Sequence, residues 1–168
     1  GPTYLALLST GKISSDDVID TEFGIYKNVK DHNWSRGGYG HLTLEQALGY
    51  RSQVAFTKAK ERVYGNQTVL LDKKISEYLA SMPDNAMGML TFYNAVANGG
   101  RMVKLQAEGD DVVVLNEQIA ESAHIATLQK GLEHAVKRGL FRKAGRSYTS
   151  VAACGRTFYT KGNNRRME

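Results

Sequence analysis

The chain has 168 residues, a hydrophobic fraction of 42% and a net charge of +5. That is room for one ordinary domain or two small ones with a real core, which excludes wholesale disorder. No apolar run approaches the roughly 18 residues of a membrane span, Tyr4–Leu8 lacks the basic leader of a signal peptide, and the single cysteine, Cys154, rules out an internal disulfide, so a cytoplasmic protein without a membrane partner is expected.

Gly1-Pro2 reads as the remnant of a removed tag. Residues 4–9 form a short strand or a helical turn, and Ser14–Asp17 offers caps for a short helix or a turn. Thr21–Val29 alternates loosely, with Phe23, Ile25 and Val29, as a strand would. The segment DHNWSRGGYG, residues 31–40, is a loop by its three glycines. From Thr43, an N-cap, apolar residues at helical spacing run to about Val63, and Gly65-Asn66 stops them. An amphipathic helix follows over 70–81. Pro83 breaks the chain, Asp84 caps a buried helix to Val96, and Asn98-Gly99-Gly100 ends it. Met102–Leu105 and Val112–Leu115 read as strands joined by a turn at Glu108–Asp111.

Charge is unevenly spread. Residues 127–168 hold ten Lys or Arg and two acids, whereas the other 126 hold 12 and 15. A concentrated basic end suits a polyanion partner, because each neutralised phosphate releases counterions. In the same region the strand at 112–115 leads to Asn116, a good N-cap, and then to an expected helix over Glu117–Ala123. A turn at His124-Ile125 and a second helix over about Thr127–Arg138 follow, with Leu128, Leu132, Ala135 and Val136 inward. Gly139 ends that helix, and Leu140–Lys143 and Ser147–Val151 form a basic hairpin around Ala144–Arg146. Strand, short helix, turn, second helix and hairpin is the layout of a winged helix-turn-helix.

Two pieces of this stretch resemble the winged-helix DNA-binding family. Ile119–Ile125 resembles its I-A-x-x-x-G-I helix and turn, with His124 in place of the glycine, and Gly139–Lys143 resembles its G-L-I-x-x exit into the wing. More loosely, the layout is similar to plasmid replication proteins of the RepL type. The resemblance implies a second helix lying in the major groove. Thr127, Gln129 and Lys130 then sit near its N-terminus, where base contacts concentrate, with Glu133 and His134 on the same face. Lys137 and Arg138 reach phosphates, and Arg142, Lys143 and Arg146 on the wing meet phosphates or the minor groove.

Other groups are weaker candidates. His32 and His41 crowd the 31–41 loop as in a small nuclease, although too few ligands at fixed spacing accompany them for a metal. Arg36–Gly40 offers backbone N–H groups to a phosphate but lacks the Lys-Ser/Thr of a nucleotide-binding loop. The expected fold is α+β and helix-rich, with a winged helix-turn-helix over 66–168 and an N-terminal α/β extension of unknown fold over 3–65. The expected function is sequence-specific binding of double-stranded DNA by a transcriptional regulator that is not an enzyme, uses no cofactor or metal, and forms a homodimer. The alternatives are a replication initiator of a plasmid or phage-like mobile element, a site-directed nuclease using the histidine loop, and RNA or protein binding by the same winged helix.

Overall fold

Pro2 opens the first helix, α1 (Pro2–Ser9), at a position where its missing N–H costs nothing. It is buried, and so are Tyr4, Leu5, Ala6, Leu7 and Leu8. A helix apolar on every side must be enclosed on every side, and α1 packs against three later helices. Residues 4–8 are thus part of the core. The structure, a computed structural model, describes residues 1–82, 84–106, 109–138, 158–159 and 166–167.

Ser14–Asp17 is a turn, closed by the Asp17 N–H on the Ser14 carbonyl and the Ser14 N–H on the Asp17 carboxylate. β1 (Val18–Asp20) then pairs antiparallel with β4 (His41–Thr43), with Ile19 opposite Leu42, both buried. Between them β2 (Ile25–Tyr26) and β3 (Val29–Lys30) make a small hairpin, so the expected strand at 21–29 is a turn plus half of that hairpin. The hairpin is clamped to a later helix by Glu61, whose carboxylate accepts from the Tyr26 hydroxyl and from Lys27, each at 2.7 Å.

The helix expected over 43–63 is two helices. α2 (Leu44–Tyr50) begins at a capping box in which Thr43 and Gln46 satisfy each other's backbone N–H groups. Arg51 then turns the chain in the left-handed conformation, φ 57°, and Ser52 caps α3 (Gln53–Tyr64) by accepting from the Ala55 N–H. The break has a long-range cause. The Asp31 carboxylate is 2% exposed; it accepts from the Ser52 hydroxyl at 2.8 Å and from the Val54 N–H at 3.1 Å. A buried carboxylate persists only where donors replace its water, and the positive end of α3 supplies both one donor and a favourable dipole.

α4 (Thr68–Tyr78) and α5 (Asn85–Ala97) follow, α5 capped by Asp84 as expected. β5 (Met102–Val103) pairs antiparallel with β6 (Val114–Asn116) across a bulge. The last long helix, α6 (Ser122–Arg138), has 17 residues. Ile125, Leu128, Leu132, Ala135 and Val136 face inward, and α6 packs most extensively on α2. Close approach there depends on small residues: Gly49 lies against the Ala135 backbone, and a Cβ on Gly131 would come 2.9 Å from Leu48 Cδ2. One apolar core draws on residues from Tyr4 to Leu132. A final pair, β7 (Phe158–Tyr159) with β8 (Arg166–Met167), is antiparallel. No described helix is long and apolar enough to cross a membrane.

The helix-rich α+β class is as expected; the helix-turn-helix is not. No separate helix forms over 117–123: residues 117–121 are non-helical, and Ser122 and Ala123 are the first residues of α6. The Asn116 side chain accepts from the Gln118 N–H in a local turn instead of capping a helix. The Ile119 N–H bonds the Gly100 carbonyl at 2.9 Å, and the Gln118 amide bridges the carbonyls of Gly99 and Ala120. With its polar groups committed to the 99–100 turn, this segment is held as a strap. His124 and Ile125, the expected turn, lie inside α6. The expected wing, Gly139–Val151, lies outside the described residues, as does Cys154.

Three outcomes test this account. Leu128→Ala, at a fully buried position, loses about 2–5 kcal/mol in denaturant unfolding, whereas Val69→Ala, at a side chain 77% exposed, stays within about 0.5 kcal/mol of wild type. Asp31→Ala strands the Ser52 hydroxyl and the Val54 N–H and costs about 1–3 kcal/mol by the same measurement. The hydrogen bond from Lys27, and then that from Tyr26, hold the Glu61 carboxyl below its ordinary value. A depressed folded value means stability present above the unfolded value and lost as pH falls through the folded one. The gap between wild type and Glu61→Gln is therefore open at neutral pH and closes below about pH 4.

Candidate binding cleft

The turn between α2 and α3 does more than reverse the chain. The Ser52 N–H bonds the Ala47 carbonyl at 3.0 Å, and its hydroxyl is held by Asp31. Its neighbours Arg51 and Gln53 are exposed, so the buried serine aims two polar side chains outward from a fixed backbone. They stand at the rim of a cleft of about 680 Å³. Gly1, Pro2 and Thr3 at the start of α1 line the same cleft, as does Asn85 at the start of α5. α3 and α5 thus begin at this rim, each with its partial positive end.

Phe56, Ile75, Leu79, Met89, Tyr93 and Leu132 make the walls largely apolar, and Thr3, Thr57 and Asn85 line them as well. Arg51 and Lys60 are the cationic side chains lining the cleft, and no Asp or Glu lines it among the described residues. Cations and helix starts over an apolar floor favour a ligand with an anionic end and an apolar body. Sequence reasoning passed over this site because it ran a single helix through Arg51–Gln53. The available signal was Ser52, a good N-cap, three residues after the helix-weakening Gly49.

The residues expected to read DNA are deployed otherwise. The Gln129 amide donates to the Val96 carbonyl at 2.7 Å, holding α6 to α5. The Thr127 hydroxyl donates to the Ala123 carbonyl within its own helix. His134 Nδ1 stands 3.7 Å from Glu45 of α2. Lys130 and Lys137 are exposed, and Arg138 closes the helix. Arg142, Lys143 and Arg146 lie outside the described residues. The residues proposed for base contact therefore do not form one free face.

The histidine loop likewise makes no catalytic pair. His32 is hydrogen-bonded to the Tyr39 hydroxyl at 2.8 Å, and His41 stands 3.9 Å from Asp20. No group of three metal-binding side chains occurs among the described residues. The N–H groups of Gly37 and Gly38, part of the suggested phosphate cradle, bond the carbonyls of Trp34 and Asn33.

No family model and no curated protein sequence matches the chain. Solved structures do. A peptidoglycan glycosyltransferase from Burkholderia ambifaria is similar with a TM-score of 0.70 at 13% identity, over 98% of this chain and 66% of that one. The apo TP domain of Burkholderia pseudomallei penicillin-binding protein 3 gives 0.71 at 11% identity, over 99% and 60%. The D,D-transpeptidase domain of a peptidoglycan glycosyltransferase from Eggerthella lenta gives 0.70 at 16%, over 98% and 53%. The chain thus spans between about half and two thirds of these proteins. They are enzymes of the cell wall, so the expected resemblance to winged-helix and RepL-type proteins does not hold. Neither do a double-stranded DNA partner, a role in transcription or replication control, a mobile-element origin-binding role, the nuclease alternative, or the expectation of no enzyme. The fold is that of penicillin-binding-protein transpeptidase domains, over part of their length.

Proposed function

We propose that the chain is part of a D,D-transpeptidase-type enzyme and that its cleft holds the peptide of peptidoglycan by a terminal carboxylate. The observation that carries this reading is that Arg51 and Lys60, with no acid among the described lining residues, share a largely apolar cleft at the starts of α3 and α5. The fold of the neighbours supports it, since one of them is a D,D-transpeptidase domain. The substrate of such an enzyme is a peptide ending in D-residues, which offers both an apolar stem and an anionic end. This reading takes the site of action to the cell wall, in place of the expected cytoplasm.

Penicillin-binding proteins use a serine nucleophile within S-x-x-K, together with S-D-N and K-T-G motifs. Ser9-Thr10-Gly11-Lys12 has the first spacing. Its geometry is wrong for a nucleophile: the Ser9 hydroxyl donates to the Leu5 carbonyl at 2.8 Å and meets the Tyr78 hydroxyl at 3.2 Å. It also lies at the end of α1 opposite to the cleft, and Lys12 is exposed in the turn beyond. On this reading the chain supplies the substrate-holding wall, and none of its described serines is the nucleophile.

The test is binding of a short peptide ending in D-Ala-D-Ala, followed by NMR. Peaks of Arg51, Gln53 and Lys60 shift, and Arg51→Ala and Lys60→Ala each weaken binding by about tenfold, the worth of one charge-assisted hydrogen bond. The same peptide with a C-terminal amide binds as weakly as those variants do. Equal affinity for acid and amide, or binding indifferent to both substitutions, refutes the reading.

A further inference from the structure

The loop between β1 and β4 turns Phe23 and Trp34 outward, beside Tyr39, which packs partly on the core. Phe23 is 80% exposed and Trp34 43%. Tyr39 stacks on Tyr50 of α2, with ring centroids 4.9 Å apart and planes at 26°, and His32 meets Tyr39 edge-on at 5.4 Å. A lone exposed aromatic is ordinary; several within one short loop mark a contact surface.

The surface is also fixed. Gly24 and Gly38, both at positive φ, bring two stretches of loop into backbone contact, and a Cβ on Gly38 would collide with the Gly24 N–H. The Gly24 carbonyl accepts from the Asp31 N–H at 2.8 Å, and the Gly40 carbonyl accepts from both the N–H and the hydroxyl of Thr21. Rings held on such a frame lose little freedom when they bind. Hydrogen-bond donors accompany them: Lys30 Nζ stands over one face of Trp34, 4.5 Å from the ring centroid, and Ser35 and Arg36 follow in a 3-10 turn over Trp34–Arg36. Exposed rings beside hydrogen-bond donors are what a pyranose ring matches, with C–H groups on its face and oxygens round its edge.

Position decides which sugar. Tyr50 immediately precedes Arg51 of the cleft, Asp31 of the loop holds Ser52, and Val29 of the same loop lines the cleft. A polymer whose peptide enters the cleft has its sugars within reach of this loop. We propose that the surface around Phe23, Trp34, Arg36 and Tyr39 binds the N-acetylated glycan strand of peptidoglycan, beside the peptide. The inference rests on the peptide-binding reading of the cleft and adds a second point of attachment on the same polymer.

Trp34 is the sole tryptophan, so its fluorescence reports on this surface directly. The probe is a peptide-free tetramer of β-1,4-linked N-acetylglucosamine, titrated into the purified chain. The expected result is a saturable change that Phe23→Ala and Arg36→Ala each weaken by about tenfold, with melting temperatures unchanged, and that Arg51→Ala leaves intact. No saturable change at millimolar glycan overturns the proposal. So does a response to oligothymidylate but not to the tetramer, because stacked bases use similar surfaces. Peptide binding without glycan binding overturns this inference and leaves the cleft reading standing; glycan binding without peptide binding does the reverse for the cleft and supports the platform.

Discussion

Asp31 carries a carboxylate into the interior, and the chain around it is arranged to satisfy that group. Left without donors, such a charge would cost several kcal/mol. Here the donors are the Ser52 hydroxyl and the Val54 N–H at the start of α3. Supplying them forces a helix to begin at residue 53, where the apolar periodicity alone would have continued one. Once the helix restarts there, Arg51 and Gln53 are set at the rim of the cleft and the 21–40 loop is fastened beside them. Cleft, turn and aromatic loop are thus consequences of one buried acid.

The second constraint is the packing of α6. Its inward face fits α2 because Gly49 and Gly131 leave room for backbone and Leu48, and its flank is tied to α5 by Gln129. A helix in this position needs an apolar stripe, a few polar anchors and charges toward water. That is also the composition of a helix that enters the major groove. The basic residues of 127–138 satisfied both descriptions, and only the strap at 117–121, which replaces a bracing helix, separates them.

What could be read from the chain is what local chemistry determines. Thr43 and Asp84 announced their helices, and the inward set Leu128, Leu132, Ala135 and Val136 was recovered from spacing. What could not be read rests on partners far away in sequence. Ser52 caps α3 because of a residue 21 positions earlier. Gln118 stays out of helix because its amide finds the Gly99 carbonyl, 19 positions earlier. α1 was ambiguous because a short segment apolar on all sides has no period to betray it. The cleft was missed with the break at 51–52, and the transpeptidase-like fold left no sequence match by which to recognise it.

Arg51 gives the site a further property. It is a residue with a Cβ held at φ 57°, a conformation that costs about 1–2 kcal/mol in a non-glycine residue. Glycine would occupy that corner without strain, so the fold by itself has no reason to keep arginine there. The tension is released by losing the cation that stands over the cleft. On the reading proposed for the cleft, stability and ligand grip therefore compete at one position, and variants selected only by heat resistance would converge on Arg51→Gly at the expense of that grip.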